Sequence, residues 1–460
     1  MAIDVTDAAK PTSTGGRRRA PGPSRNCLLS YQRDAPRLIA GLQHDYGDIA
    51  RFRIGPMLIH LVSHPELIRQ VLLGSDTRHL KRGIFYDGFK AYFGDGLLTT
   101  DGDQWKRHRD ISRPLFQAKR IEDMTPAITD AAVTLAGRFR AHADRGEAFD
   151  LIHETMWYTI EVLGRTLFGS SLGDAVDRVG PAVQVGMPLI IQRGNPMYQA
   201  IPTWVPIPHN LKLRRTLAVL DDFLADVIED HRRNPRPDLV TGYLDSTVGM
   251  STQEIRDGLM TTFLAGHETT GTSLAWTLYQ LANTPSIRRT LEDELESVLG
   301  GRPATLEDLP NLTYTRMVVE ESLRVYPPIW LYPRQATQDL EIAGYHIPPG
   351  SNLFISPYAT HRHPEFWDNP EAFDPERFTP ERVAARDRHA YMPFGFGQRQ
   401  CIGKHIALLQ LQVAVATVAQ EMRLSLVPGA PVTYDAKLSF RPRQAPEHTI
   451  TMTAHPRRAA

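Results

Sequence analysis

The sequence predicts a mainly α-helical chain with small β-sheets, an α+β fold built as a single domain over residues 26–460. Three observations point there. Helical periodicity fills most of the stretch from about Asp101 to Leu299, strand-like pieces come from both ends of the chain, and 42 % apolar residues suit one large core. The 35 prolines imply many sharp turns between these elements.

Residues 1–25 are polar and rich in Gly, Pro, Ser and Arg, and are expected to be a disordered basic tail. The run Arg17-Arg18-Arg19 is followed by no apolar stretch of the length an export signal needs. "DIARFRIGPMLIHLVSH" alternates and turns at Gly55-Pro56, the pattern of a hairpin, and Pro65 opens the short helix "PELIRQVLL". A Pro-rich apolar loop at 195–210 interrupts the helical middle and is expected to line an entrance through Met197, Ile201, Trp204 and Val205. Strands return at "LEIAGYHIPPGSNLFISPYA" and between "LSLVPG" and "HTITMTAH".

Composition excludes several classes. Lys plus Arg and Asp plus Glu number 52 each, which gives no support to a nucleic-acid binder. Two cysteines make no disulfide framework and fit a reducing, cytoplasmic compartment. No window holds about 18 consecutive apolar residues, so no membrane anchor is expected.

One helix carries a contradiction. "STQEIRDGLMTTFLAGHETTGTSLAWTLYQLANTP" opens with a capping box, Ser251 with Glu254, and stops before Thr284-Pro285. It is about 45 Å long and apolar on most faces, so it should cross the core. Yet "AGHETT" (265–270) places a glycine and a carboxylate at its centre. A mid-helix glycine costs about 1 kcal/mol relative to alanine, and a buried carboxylate costs more unless it is paired. A helix interface that needs a small residue, with Glu268 reaching an arginine, explains the segment as well as chemistry does.

The second concentration of unusual residues is "PFGFGQRQCIG" (393–403). Cys401 follows glycines and precedes the helical pattern "IGKHIALLQLQVAVATVAQEM", so it lies near a helix N-terminus, where a thiolate is stabilised. The pattern Phe394-x-x-Gly397-x-Arg399-x-Cys401-x-Gly403 resembles the haem-binding loop of the cytochrome P450 family, and the resemblance runs from about residue 27 to 455. It implies the cytochrome P450 fold, with haem b (iron protoporphyrin IX) between a long central helix and the Cys-bearing helix, and Cys401 as the axial ligand of the iron. Phe394 and Gly403 would belong to the haem loop.

The same resemblance assigns the remaining residues. Glu321 and Arg324 look like the family's Glu-x-x-Arg pair, and Arg377 like the third member of a buried structural charge network. In "AGHETT", Gly266 would open a groove for dioxygen, Ala265 would face the haem, and Thr269 and Glu268 would handle oxygen and protons. His267 reads as a neutral helix residue. Trp105, Arg109, Arg334 and Arg399 are the expected partners of the haem propionates. His361 and His363 read as loop structure, since no further metal-ligand cluster accompanies them.

The substrate pocket is expected at Phe93, Leu97, Leu98, Ile329, Leu331 and Leu438, an apolar set with few fixed polar groups. "FGDGLLTT" and "LSFRP" resemble the fatty-acid-hydroxylating branch of the family, but Met57 stands where that branch would place an arginine. Terpenes and polyketides fit equally well. The implied activity is oxygen insertion, a hydroxylation or an epoxidation, using O2 and two electrons. The donors would be separate proteins, a ferredoxin with its reductase or a flavodoxin-type donor, docking at Lys106, Arg107, Arg113 and Lys404. A peroxygenase, or a desaturating or coupling oxidase on the same fold, is the alternative. A monomer is expected.

Overall fold

The structure, a computed structural model, describes residues 17–73, 79–81, 83–169, 171–172, 175–193, 198, 201–246, 249–429, 431–437, 439–444 and 450–457. The chain forms two compact units, Met1–Gly83 with Leu323–Cys401, and Ile84–Ser322 with Ile402–Ala460.

In chain order the elements begin with α1 (Leu28–Arg33), α2 (Ala35–Tyr46), the predicted hairpin β1 (Ile49–Ile54) and β2 (Met57–Val62), α3 (Pro65–Leu73) and β3 (His79–Leu80). There follow α4 (Ile84–Phe93), α5 (Gly102–Ser112), α6 (Ala118–Arg145), β4 (Phe149–Asp150), α7 (Leu151–Leu167), α8 (Ala175–Arg193), α9 (Pro208–Arg233), α10 (Leu239–Leu244), α11 (Thr252–Asn283) and α12 (Pro285–Leu299). Then come α13 (Thr313–Val325), β5 (Tyr332–Ala336), β6 (Leu340–Ile342), β7 (Tyr345–Ile347), β8 (Asn352–Ile355), α14 (Pro357–Thr360) and α15 (Pro380–Ala385). The chain ends with α16 (Lys404–Glu421), β9 (Met422–Leu426), β10 (Val432–Asp435), β11 (Arg441–Gln444) and β12 (Thr451–Pro456).

The first unit is organised by a five-stranded sheet of order β1-β2-β8-β5-β3, in which only β2 and β8 run parallel. Ile49, Val62, Ile68, Val71, Ala336, Leu353, Ile355 and Met392 form its core, which reaches the segment leading to Cys401. The sequence expectation of a disordered tail to residue 25 is corrected here for its described part. The carbonyl of Pro21 accepts the N–H of Arg51 at 2.6 Å, which satisfies an edge-strand donor. Ala20 joins the core, Arg18 stacks on Tyr345 at 4.5 Å, and Arg17 pairs with Asp339 at 2.6 Å.

The second unit is helical, with a three-stranded sheet β4-β12-β9 and the hairpin β10-β11 at its C-terminal end. Its axis is α11, 32 residues long, whose capping box is formed as the sequence predicts. α11 packs closely on α7. Leu163 lies against Gly266, where a Cβ would come within 2.9 Å of its Cδ2, and the Thr159 hydroxyl donates to the His267 carbonyl at 3.1 Å. Among the described residues no helix is long and apolar enough to cross a membrane.

Candidate functional site

In the first unit, the segment 392–401 is a series of tight turns. Gly395 N–H donates to the Met392 carbonyl, Gln400 N–H to Gly397, and Cys401 N–H to the Phe394 carbonyl at 3.0 Å. Gly395 and Gly397 have φ of 60° and 74°, the left-handed region that disfavours other residues. A Cβ at Gly397 would also lie 2.7 Å from the Leu72 carbonyl oxygen, so this position is closed to any side chain. Cys401 is exposed and is not disulfide-bonded. Helix α16 starts three residues later, with Gly403 as its N-cap.

The buried residues behind this loop explain its shape. His361 is fully buried. Its Nδ1–H donates to the Arg324 carbonyl at 3.1 Å, and its Nε2 accepts the Met392 N–H at 2.9 Å. Burial pushes its pKa well below the ordinary value, so it is neutral, the state these two bonds require. Tyr332 donates to the Met392 and Pro393 carbonyls at 3.1 Å each. Arg324, also fully buried, gives its guanidinium N–H groups to the carbonyls of His361, Pro370 and Ala372. Arg377 donates to the Asn369 carbonyl. Glu321, Arg324 and Arg377 are all buried. His363 donates to Asp48 at 3.1 Å.

In the second unit, α11 presents one narrow accessible stripe. From Asp257 to Leu278 every residue is buried except Thr262, Ala265, Gly266 and Thr269, at positions i, i+3, i+4 and i+7. Three of these four were expected from the sequence. Thr262 was missed, although the helical spacing from Ala265 was enough to find it. The Thr269 hydroxyl donates back to the Ala265 carbonyl at 2.8 Å. His267 is buried and neutral in character, its pKa lowered by burial, with Nδ1 bonded to the Phe263 carbonyl at 2.9 Å.

Glu268 does not join the stripe. It is buried, and its Oε1 accepts the Ser439 hydroxyl at 2.6 Å and pairs with the Arg441 Nε at 3.2 Å. A carboxylate in a core helix needs this compensation. The glycine and the acid of "AGHETT" are therefore both explained by packing: Gly266 admits Leu163, and Glu268 reaches an arginine.

Trp105 is buried and Arg109 half-buried, one turn apart on α5, and Arg334 is buried on β5. Arg399 and Phe394 are half-buried. Phe93 is buried against Phe89 and Tyr92, whereas Leu97 and Leu98 are half-buried on the loop after α4. That loop is tied to α11 through Asp257, which accepts the Asp95 N–H at 2.8 Å. Ile329 and Leu331 are half-buried on either side of buried Trp330. Leu438 and Met197 lie outside the described residues. Trp204 is 73 % exposed, and buried Asn210 holds its loop by donating to the Pro202 and Val205 carbonyls at 2.9 Å each. Of the expected donor-docking cations, Arg107 needs correction: it is half-buried and ion-paired to Glu254, so the start of α11 has claimed its charge. Lys106 and Arg113 are exposed.

The family model described as Cytochrome P450 matches residues 20–445. This chain belongs to the cytochrome P450 family. It is 33 % identical over 86 % of its length to cyclooctatin synthase of Streptomyces melanosporofaciens, covering 87 % of that protein. Pentalenene oxygenase of Streptomyces avermitilis is 32 % identical over 84 % of this chain and 86 % of its own. Cyclooctat-9-en-7-ol 5-monooxygenase of Streptomyces melanosporofaciens is 32 % identical over 91 % of both. The crystal structure of cytochrome P450DA heme domain superposes with a TM-score of 0.83 at 24 % identity, over 96 % of this chain and 98 % of that one. A cytochrome P450 titled CYP102L1 gives 0.82 at 22 %, over 95 % and 99 %. The fold is thus that of a P450, mainly α with small sheets, and the chain is a P450 monooxygenase. The family implies a haem-thiolate cofactor, and the residues of the cysteine loop fit it: an exposed thiol, preceded at Gly397 by a position where no side chain fits.

Proposed function

We propose that this chain oxidises a terpene, by hydroxylation or epoxidation, with O2 and two electrons from a separate ferredoxin-type donor. The observation that carries the site is the stripe Thr262-Ala265-Gly266-Thr269, four small residues left accessible at the centre of a buried helix. The substrate class rests on relatives named for pentalenene and for cyclooctat-9-en-7-ol. Polyketides and fatty acids are the competing apolar classes.

Haem b, when bound, supplies the oxygen-activating and electron-accepting chemistry that no side chain here has. Cys401 would hold its iron as thiolate, and the dipole of α16 favours that charge. Arg109, Arg334, Arg399 and Trp105 would bind the propionates, with Phe394 and Gly403 shaping the loop. Ala265 keeps the helix surface low enough for a flat group, while Gly266 lets the helix pack on Leu163. Thr269 offers a hydroxyl that can donate and accept, so it can hold a proton at its Oγ1. Glu268 would resupply that proton. Phe93, Leu97, Leu98, Ile329, Leu331 and Leu438, joined by Thr262, would bind the substrate and exclude water. Lys106, Arg113 and Lys404 would meet an acidic donor.

The test is a panel of terpene hydrocarbons, macrolide precursors and fatty acids added to ferric protein. Terpenes should shift the Soret band at micromolar concentration and yield products one oxygen heavier. A response confined to fatty acids overturns the terpene reading.

A further inference from the structure

Three successive residues, Ser439, Phe440 and Arg441, grip α11. The Ser439 hydroxyl donates to Glu268 at 2.6 Å. The Phe440 carbonyl accepts the Trp276 Nε1–H at 2.6 Å. Arg441 pairs with the same Glu268 oxygen at 3.2 Å, and its N–H donates to the Ser439 carbonyl at 3.0 Å, closing a tight turn. Ser439 and Phe440 are 2 % and 1 % exposed, so the turn has no room to drift. Tyr434 stacks on Phe440 at 4.4 Å and braces it from β10. Glu268 is therefore held from outside its own helix, by a segment 171 residues away.

We propose that Ser439 and Arg441 are the positioning residues of Glu268: they hold its carboxylate in one orientation at the edge of the Ala265–Thr269 stripe, and proton supply to that stripe depends on this hold. A glutamate has three rotatable side-chain bonds, and an unheld one samples orientations that cannot reach Thr269. A hydroxyl donor and a neighbouring cation on one oxygen hold that oxygen in place and leave the second oxygen for exchange. This assignment rests on the reading of Glu268 as the proton carrier.

The experiment follows NADPH consumption by the haem-loaded protein without substrate, using a plant-type ferredoxin and its reductase, in H2O and in D2O. NADPH, a proton and O2 then leave as NADP+ and hydrogen peroxide, or two NADPH, two protons and O2 as two NADP+ and two waters. Variants are E268Q, S439A, S439T, R441Q, R441K and the double variant E268Q/S439A, each normalised to its reduced carbon-monoxide spectrum. E268Q should slow consumption about tenfold or more and enlarge the solvent isotope effect. S439A and R441Q should each slow it about threefold, with S439T and R441K close to the parent. Adding S439A to E268Q should change the rate less than about 1.5-fold, because the two act as one unit. If S439A fails to fold, the R441Q and R441K pair carries the same comparison. A full threefold effect of S439A within E268Q, or S439T as slow as S439A, overturns the positioning role while leaving Glu268 as the carrier. An E268Q protein that matches the parent in rate and isotope effect overturns the carrier reading, and the positioning role with it.

Discussion

His361 Nε2 accepts the backbone N–H of Met392 at 2.9 Å, which ties the start of the cysteine loop to a fully buried, neutral imidazole. The other nitrogen is bonded to Arg324. Because burial lowers its pKa, the unfolded chain binds a proton that the folded chain refuses as pH falls below about 6.5. Stability should therefore fall as the medium is acidified below that point and level off above it. His361→Phe leaves the Met392 N–H and the Arg324 carbonyl unpaired and should cost about 2–4 kcal/mol at neutral pH. Thermal melts between about pH 5 and pH 7.5 should show a shallower acid slope in the variant; an unchanged slope contradicts this account of the histidine.

Gly395 and Gly397 look alike in sequence and should respond differently. Both have positive φ, but a Cβ at Gly395 meets nothing closer than Tyr332 at 3.8 Å, whereas at Gly397 it meets a backbone oxygen at 2.7 Å. Gly395→Ala should cost about 1–2 kcal/mol, the left-handed penalty alone. Gly397→Ala adds a backbone clash and should lose most haem loading, read as the ratio of Soret to protein absorbance. Equal loading in the two variants would show that the Leu72 contact does not shape the loop.

The Thr269 hydroxyl donates back to its own helix, to the Ala265 carbonyl. Thr269→Ala should therefore leave the melting temperature within about 1 °C, since such back-bonds contribute little. Its effect should appear in chemistry instead, as several-fold more hydrogen peroxide per NADPH consumed. Unchanged peroxide together with full activity on peroxide alone would favour the peroxygenase alternative.

Glu154 links α6 and α7. It takes hydrogen bonds from Arg138 Nε at 2.5 Å and Nη2 at 3.0 Å, with His142 at 3.3 Å and His153 at 3.6 Å. Burial alone would raise its pKa, but these partners bring it down to about 2. Its contribution is present above about pH 4.5 and is lost as pH falls towards about 2. Glu154→Gln should lower stability by about 2–3 kcal/mol at pH 7, with the gap to the parent closing as pH falls through that window, followed by urea titration.

What the sequence made legible was local. The hairpin turn at Gly55-Pro56, the capping box of α11 and the loop from Phe394 to Gly403 are each set by residues within a dozen positions, and each lies where the sequence predicts. Which residues partner Glu268 was not legible, because Ser439 and Arg441 are remote in the chain and nothing in "LSFRP" ties them to this helix. Arg107 was misplaced for a similar reason, since its acid lies 147 residues away. Composition predicts a solvated tail because it sees charge and not the edge of β1, to which Pro21 supplies a carbonyl.

The most direct test of the central claim is the carbon-monoxide difference spectrum of the reduced, haem-loaded protein, recorded beside Cys401→Ser. The parent should show the red-shifted Soret band of a thiolate-ligated haem, and the variant should lose it while keeping its far-ultraviolet circular dichroism. A parent without that band, or a variant that retains it, would contradict Cys401 as the ligand and the function built on it.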